Sequence, residues 1–206
     1  MRRIVTDDRA NEARGLPYLD PKRILTESGA LRTAVTEWPL RFGRKLSENE
    51  RKRLAEEIVQ AAAFCWGMGE LWKRHVEFSP KAAGSHDCVL ALGQSAGGDP
   101  PGFLLLQLKG LPPQSLNPEV TLQSLINDLD GKYHDPDELY LGIAVNRSGE
   151  IDFSVLKVPE ALRSQFLELW IFGRTNEDRA KWFFRGDLLA EPLTSLHSIP
   201  DILPFE

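Results

Sequence analysis

The chain has 206 residues, of which 42% are hydrophobic and 27% charged, and its formal net charge is −5. This is the balance of an ordinary globular protein, and no apolar stretch approaches the ~20 residues that a membrane-spanning helix needs. The charge is unevenly spread: residues 1–81 carry 16 Lys and Arg against 12 Asp and Glu, while residues 82–206 carry 9 against 18. An acidic whole argues against strong non-specific nucleic-acid binding, whereas a basic first half leaves room for a local cationic patch. Met1 to Asp20 is polar and lacks the apolar run of a secretory signal, so a cytoplasmic location and no membrane partner are expected. The two cysteines, Cys65 and Cys88, lie in apolar contexts without metal-ligand spacing and read as buried thiols.

In chain order, residues 1–46 form an extension with few periodic signals. Leu16 to Pro21 is turn-rich, Arg23 to Val35 suits a short helix, and Trp38 to Gly43 reads as extended, with Trp38 packing on the core. Ser47-Glu48-Asn49-Glu50 is a capping box, and Leu54, Ile58, Ala61, Ala62 and Cys65 follow at helical spacing. Gly67 and Gly69 mark a stop or a close-packing point, with Glu70 to Arg74 as one further turn. Val76 to Ser79 suits a first strand ending at Pro80.

Two apolar runs, Cys88 to Leu92 and Phe103 to Leu106, flank the glycine- and proline-rich stretch 93–102 and predict a loose hairpin. With the loop centred near Gly98, Asp87 falls opposite Lys109. Gln107 and Lys109 share one strand face, while Leu104, Leu106 and Leu108 share the other. An acid, an amide oxygen and an ammonium would then meet at one end of an apolar hairpin. The plainer alternatives are an Asp87 that caps a turn, a Gln107 that bonds within the core, and a Lys109 that reaches water at the sheet edge.

Beyond Pro112-Pro113, a second helix is expected over Thr121–Asp130, a turn at Asp135-Pro136-Asp137, and an interior strand over Leu139–Val145. Asn146 to Gly149 reads as a turn and Ile151 to Val158 as the returning strand of a hairpin. Pro159 to Trp170 suggests a third helix, Lys181 to Arg185 an edge strand, and the last residues a surface wrap. The expected fold is α/β, a mixed central sheet flanked by helices. No nucleophile elbow, phosphate loop or dinucleotide glycine pattern occurs.

The order of elements and the placing of Asp87 and Gln107-Leu108-Lys109 resemble the PD-(D/E)XK, or restriction-endonuclease-like, nuclease superfamily. Its core is a helix, three strands, a helix and a strand. The signature acid begins the second strand, and an acid-x-Lys tripeptide lies on the third. The resemblance covers residues 47–158, leaving 1–46 as an N-terminal extension and 159–206 as a C-terminal helix and wrapping segment. Some members carry Gln-x-Lys, as here; the residue before the acid is His86 instead of Pro.

The resemblance implies an endonuclease cleaving DNA with Mg²⁺ or Mn²⁺, in defence or mobile-element biology. Asp87, Gln107 and the Leu108 carbonyl would hold the metal. Lys109 would act on the attacking water, and a helix acid would complete the set: Glu70 first, or Glu57, with Glu77 a further candidate. Arg41, Arg44, Lys45, Arg51, Lys52, Arg53, Lys73 and Arg74 are candidate phosphate contacts. The alternatives are a catalytically decayed subunit in a larger complex, and an acidic interaction or immunity protein that binds a basic partner.

Overall fold

The computed structural model describes residues 7–80, 86–94, 97–98, 100–129, 139–147, 151–175, 181–190 and 193–198. The chain divides into two compact units, and the division falls inside a strand, between Leu106 and Gln107.

In the first unit, α1 spans Asp7–Arg14, α2 Pro21–Thr26, α3 Ser28–Arg41 and α4 Glu48–Trp72, followed by β1 at Val76–Pro80 and β2 at Cys88–Leu92. The 25-residue α4 is organised by the expected capping box: the Ser47 side chain accepts from the Glu50 backbone N–H, and the Glu50 carboxylate accepts from the Ser47 backbone N–H. Gly67 and Gly69 do not stop it. The helix runs to Trp72 and ends where Lys73 turns left-handed, with φ of 53°. A Cβ at Gly69 would meet the Arg74 carbonyl oxygen at 3.0 Å, so this glycine marks the place where the chain folds back toward β1.

The extension differs from expectation. Residues expected to be extended at Trp38 to Gly43 continue α3 as far as Arg41, with Pro39 inside the helix. Trp38 is buried, as expected, and its indole N–H donates to the Pro80 carbonyl at 2.8 Å. Helices α2 and α3 both pack on α4, and α4 packs on β1.

Strand β3, Gly102–Leu111, begins in the first unit and ends in the second. Strands follow chain order in each unit, β1-β2-β3 in the first. Both pairings there are antiparallel, with Pro80 opposite Cys88 and Cys88 opposite Leu106. One face of this meander buries Val76, Phe78, Leu90, Leu104 and Leu106, and Ile58, Ala61, Ala62, Phe64, Cys65 and Met68 of α4 are likewise buried.

In the second unit the order is β3-β4-β5-β6-β7. It comprises α5 at Leu122–Asn127, β4 at Leu139–Val145, a single 3₁₀ turn at Phe153–Val155, α6 at Glu160–Arg163, β5 at Glu168–Arg174, β6 at Lys181–Gly186 and β7 at Leu193–Ser198. The helix expected over Thr121–Asp130 is α5, capped by Thr121 and Ser124 in a second capping box. Strand β4 is buried throughout, as an interior strand should be.

Three expectations fail in this unit. Ile151 to Val158 is no strand: the Asp152 carboxylate accepts from the Ser154 backbone N–H and hydroxyl and winds a 3₁₀ turn. The helix expected over Pro159–Trp170 is confined to α6, and Glu168 onward joins β4 as a parallel neighbour, with Tyr140 opposite Glu168 and Val145 opposite Gly173. Lys181 to Arg185 is a strand but not an edge, since β5 and β7 flank it. The expected turn at Asp135-Pro136-Asp137 and part of that at Asn146–Gly149 lie outside the described residues.

Together the two units make an α/β protein with parallel and antiparallel strands. Among the described residues, no helix is long and apolar enough to cross a membrane.

Candidate functional site

Asp87 stands one residue ahead of β2. Its backbone N–H donates to the Leu106 carbonyl at 2.9 Å, and its side chain is exposed. The paired residues Cys88–Leu106 through Leu92–Gly102 are centred on residue 97, not 98, because Gly102 joins the strand instead of the loop. Each partner therefore shifts by two relative to the expected register. The described ladder ends at Cys88 opposite Leu106, and the Asp87 N–H bonds that same Leu106, so the expected opposition of Asp87 and Lys109 is not part of it. A shift of two preserves the facing of every side chain within the paired residues 88–92 and 102–106.

Gln107, Leu108 and Lys109 lie on the later half of β3, in the second unit. Gln107 is 5% exposed. Its Nε2 donates to the Leu108 carbonyl at 3.2 Å, so one proposed metal oxygen already accepts from the amide that carries the other. Lys109 is partly exposed and Leu108 is buried.

The three helix and strand acids separate cleanly. Glu70 is exposed near the C-terminal end of α4 and lines a cavity of about 410 Å³ with Asp20, Lys22, Trp66, Lys73 and Arg74. That cavity opens beside Val76, four residues of β1 away from the Pro80 that faces Cys88. At about 3.3 Å per strand residue the two ends are some ~13 Å apart, so Glu70 stands at the wrong end of β1 and β2 to join Asp87. Glu77 pairs with Ala91 and is three residues from that end.

Glu57 is the acid on Asp87's end. The buried Cys88 thiol is pushed well above its ordinary range first by burial, then by the Asp87 carboxylate and then by that of Glu57. Glu57 also lines a cavity with Pro80, and it pairs with Arg53 at 3.0 Å. Nothing in the local sequence separates Glu57 from Glu70, since both lie on one helix; the direction in which α4 crosses β1 decides between them. Cys65 and Cys88 are buried free thiols, and burial followed by the Cys88 charge likewise raises Cys65.

The sequence reading passed over Ser79. It pairs with Val89 in the β1-β2 ladder, Val89 pairs with Leu105, and Ser79 is fully buried. Its hydroxyl meets no hydrogen-bond partner among the described residues. Ser79 is expected only as the last residue of the first strand before Pro80, and nothing in the local sequence marks its hydroxyl for burial.

Of the cations in the sequence reading, Arg74 is structural. It donates to the Gly93 and Pro100 carbonyls and holds the loop ends of β2 and β3. Lys52 pairs with Glu48, Arg44 acts on the Glu50 carboxylate, and Arg41, Lys45 and Arg51 are exposed.

A small hard divalent cation needs oxygen donors, usually one or two carboxylates completed by water and substrate phosphate. Glu57 and Asp87 stand at the same end of β1 and β2, and the Gln107 amide is turned with its Nε2 on the Leu108 carbonyl. Among the described residues, no three His, Cys, Asp or Glu side chains converge as a metal-ligand group. No protein-family model, curated protein or solved structure matches the chain.

Proposed function

We propose that this protein is a divalent-metal-dependent nuclease of the restriction-endonuclease-like kind, acting on DNA phosphodiesters. The observation that carries the reading is an acid immediately ahead of β2 combined with Gln-Leu-Lys on the antiparallel neighbour β3, within the order α4, β1, β2, β3, α5, β4. That order is the helix, three strands, helix and strand that the superfamily core requires.

Asp87 and Glu57 would hold Mg²⁺ or Mn²⁺, with the Gln107 and Leu108 oxygens as further donors. The bound metal would supply a water of lowered pKa and charge on the phosphoryl oxygens. Lys109 would orient that water by hydrogen bonding and offset negative charge growing on the phosphate. Gln107 is neutral where other members carry an acid, so metal would be held weakly without substrate.

The Gln107 amide bond to the Leu108 carbonyl favours a second reading, a nuclease-fold subunit that binds nucleic acid without cutting it. Incubation of supercoiled and single-stranded DNA with Mg²⁺ or Mn²⁺ tests the pair. Cleavage by the wild type, lost in both Asp87→Ala and Lys109→Ala, supports the nuclease. Equal nicking by all three proteins means a contaminant, and no nicking by any leaves the binding subunit.

A further inference from the structure

We propose that Arg74 selects the register of β2 against β3 and is thereby a positioning residue for the candidate site, acting from the loop end of the hairpin opposite to Asp87. Its bearing on catalysis rests on the nuclease reading above, while the register argument stands on the fold alone.

Arg74 sits at the corner between α4 and β1. There Lys73 turns left-handed, and the Lys73 and Arg74 N–H groups both donate to the Gly69 carbonyl. From this corner the guanidinium reaches two loop ends. Its Nε donates to the Gly93 carbonyl, one residue past β2, at 2.8 Å. Its Nη2 donates to the Pro100 carbonyl, two residues before β3, at 2.8 Å. Gly93 has a second tie to the corner, from its N–H to the His75 carbonyl at 2.9 Å. Pro100 and Pro101 have no N–H to give, so carbonyls must anchor that end of the loop, and an arginine fork is the complementary donor. Among the described residues, Arg74 is what ties Pro100 to the corner.

Apolar burial does not make the choice of register. The two strands pair Cys88 with Leu106, Leu90 with Leu104 and Leu92 with Gly102. Sliding β3 by two residues sets the same three residues against Leu108, Leu106 and Leu104, with every side chain on its original face. This is the register expected from a loop centred on Gly98. It exchanges a Leu92–Gly102 pair for a Leu92–Leu104 pair, so the apolar pattern on that face does not oppose it.

Arg74 does make it. Two residues of strand span about 7 Å. Sliding β3 by that much carries Pro100 away from Gly93 by the same distance, and one guanidinium no longer meets both carbonyls at hydrogen-bond range. The observed register keeps both bonds, whereas the other breaks one and leaves a donor unmet. The grip at the loop thus decides which part of β3 Asp87 meets at the far end, where its N–H finds the Leu106 carbonyl. Gln107, Leu108 and Lys109 follow Leu106 directly on the same strand.

The test is backbone NMR on the whole chain, without metal or DNA. Cross-strand NOEs from Leu90 report the register: to Leu104 as observed, to Leu106 after a slide of two. Wild type is expected to show the Leu104 contact. Arg74→Met keeps the apolar stem and loses the fork; it is expected to keep its circular dichroism while the share of the Leu106 register rises about two- to tenfold, the weight of a hydrogen bond. Arg74→Gln, whose shorter amide cannot span both carbonyls, is expected to do the same. Three results overturn the proposal: an unchanged share in both variants, a wild type already in the Leu106 register, or loss of the fold in both variants, which makes Arg74 a general stabiliser. Cleavage assays with Mg²⁺ on the same proteins separate the two readings. A register shift in the variants with no cleavage by wild type sinks the nuclease and leaves the register lock standing. Equal cleavage by wild type and both variants, with the hairpin unshifted, sinks the lock alone.

Discussion

The Trp38 indole N–H donates to the Pro80 carbonyl across 42 residues of sequence, and this bond fastens α3 to the last residue of β1. Both groups are buried, so the bond has no competition from water. Trp38→Phe keeps most of the ring but leaves the Pro80 oxygen unsatisfied, and should destabilise the protein by about 1–3 kcal/mol. Trp38→Ala adds a cavity, for a total of about 3–5 kcal/mol. Urea unfolding followed by tryptophan fluorescence measures both, and equal stability of Trp38→Phe and wild type would show that the bond contributes nothing.

The Ser47–Glu50 capping box has a pH signature. Hydrogen bonds from the Ser47 hydroxyl and backbone N–H hold the Glu50 carboxyl below its ordinary range. A carboxylate with a lowered folded-state pKa adds stability above its unfolded pKa and loses it as pH falls through the folded value. Ser47→Ala should therefore lower stability at neutral pH. The deficit should shrink as the medium is acidified below the carboxylate range. A deficit that is constant with pH would mean that the hydroxyl alone, and not its bond to the charged acid, caps the helix.

Cys65 and Cys88 have thiols raised by burial, so both stay protonated and shielded in the folded state. A thiol reagent at mildly alkaline pH should label neither until denaturant is added, when both react. The linkage sign is that of an acid with a raised pKa: its contribution is complete below the unfolded thiol value and is lost as pH rises. Cys88→Ala should accordingly flatten the alkaline fall in stability. Labelling of either thiol within the mixing time in native buffer would refute the burial.

Should cleavage be observed, the helix acids divide. Glu57→Gln should lower the rate at least tenfold, about the effect of losing one carboxylate from a metal site. Glu70→Gln should stay within about twofold, since Glu70 faces the cavity at the opposite end of β1. The reverse ranking would restore the acid nearer the C-terminus of α4.

Gln107→Glu puts an acid at a position only 5% exposed. Without metal the buried carboxylate should lower stability by at least about 1 kcal/mol. With Mg²⁺ the variant should regain its melting temperature and bind the ion more tightly than wild type, by the linkage of ligand to folding. Calorimetric melts with and without Mg²⁺ read the effect, and an unchanged response would argue that Gln107 does not face a cation site.

Features fixed by neighbours three or four residues away were legible in the sequence. The capping boxes at Ser47 and Thr121 set the starts of α4 and α5. The apolar runs set β2, β3 and β4, and the alternation along β3 put Gln107 and Lys109 on one face. What depended on remote partners was not legible. Glu168 to Arg174 reads as the end of a helix, yet parallel pairing with β4 draws it into the sheet, a choice made by backbone groups that lie more than twenty residues apart. The hairpin register slipped by two because Gly102 entered the strand, which composition alone does not decide. Which end of β1 each helix acid reaches followed from the direction in which α4 lies along it: Glu57 lines a cavity with Pro80, and Glu70 one with Val76. Local hydrogen bonds need only adjacent residues and so are written in the chain; strand partners and helix directions are settled by burying apolar faces together, and that happens only in three dimensions.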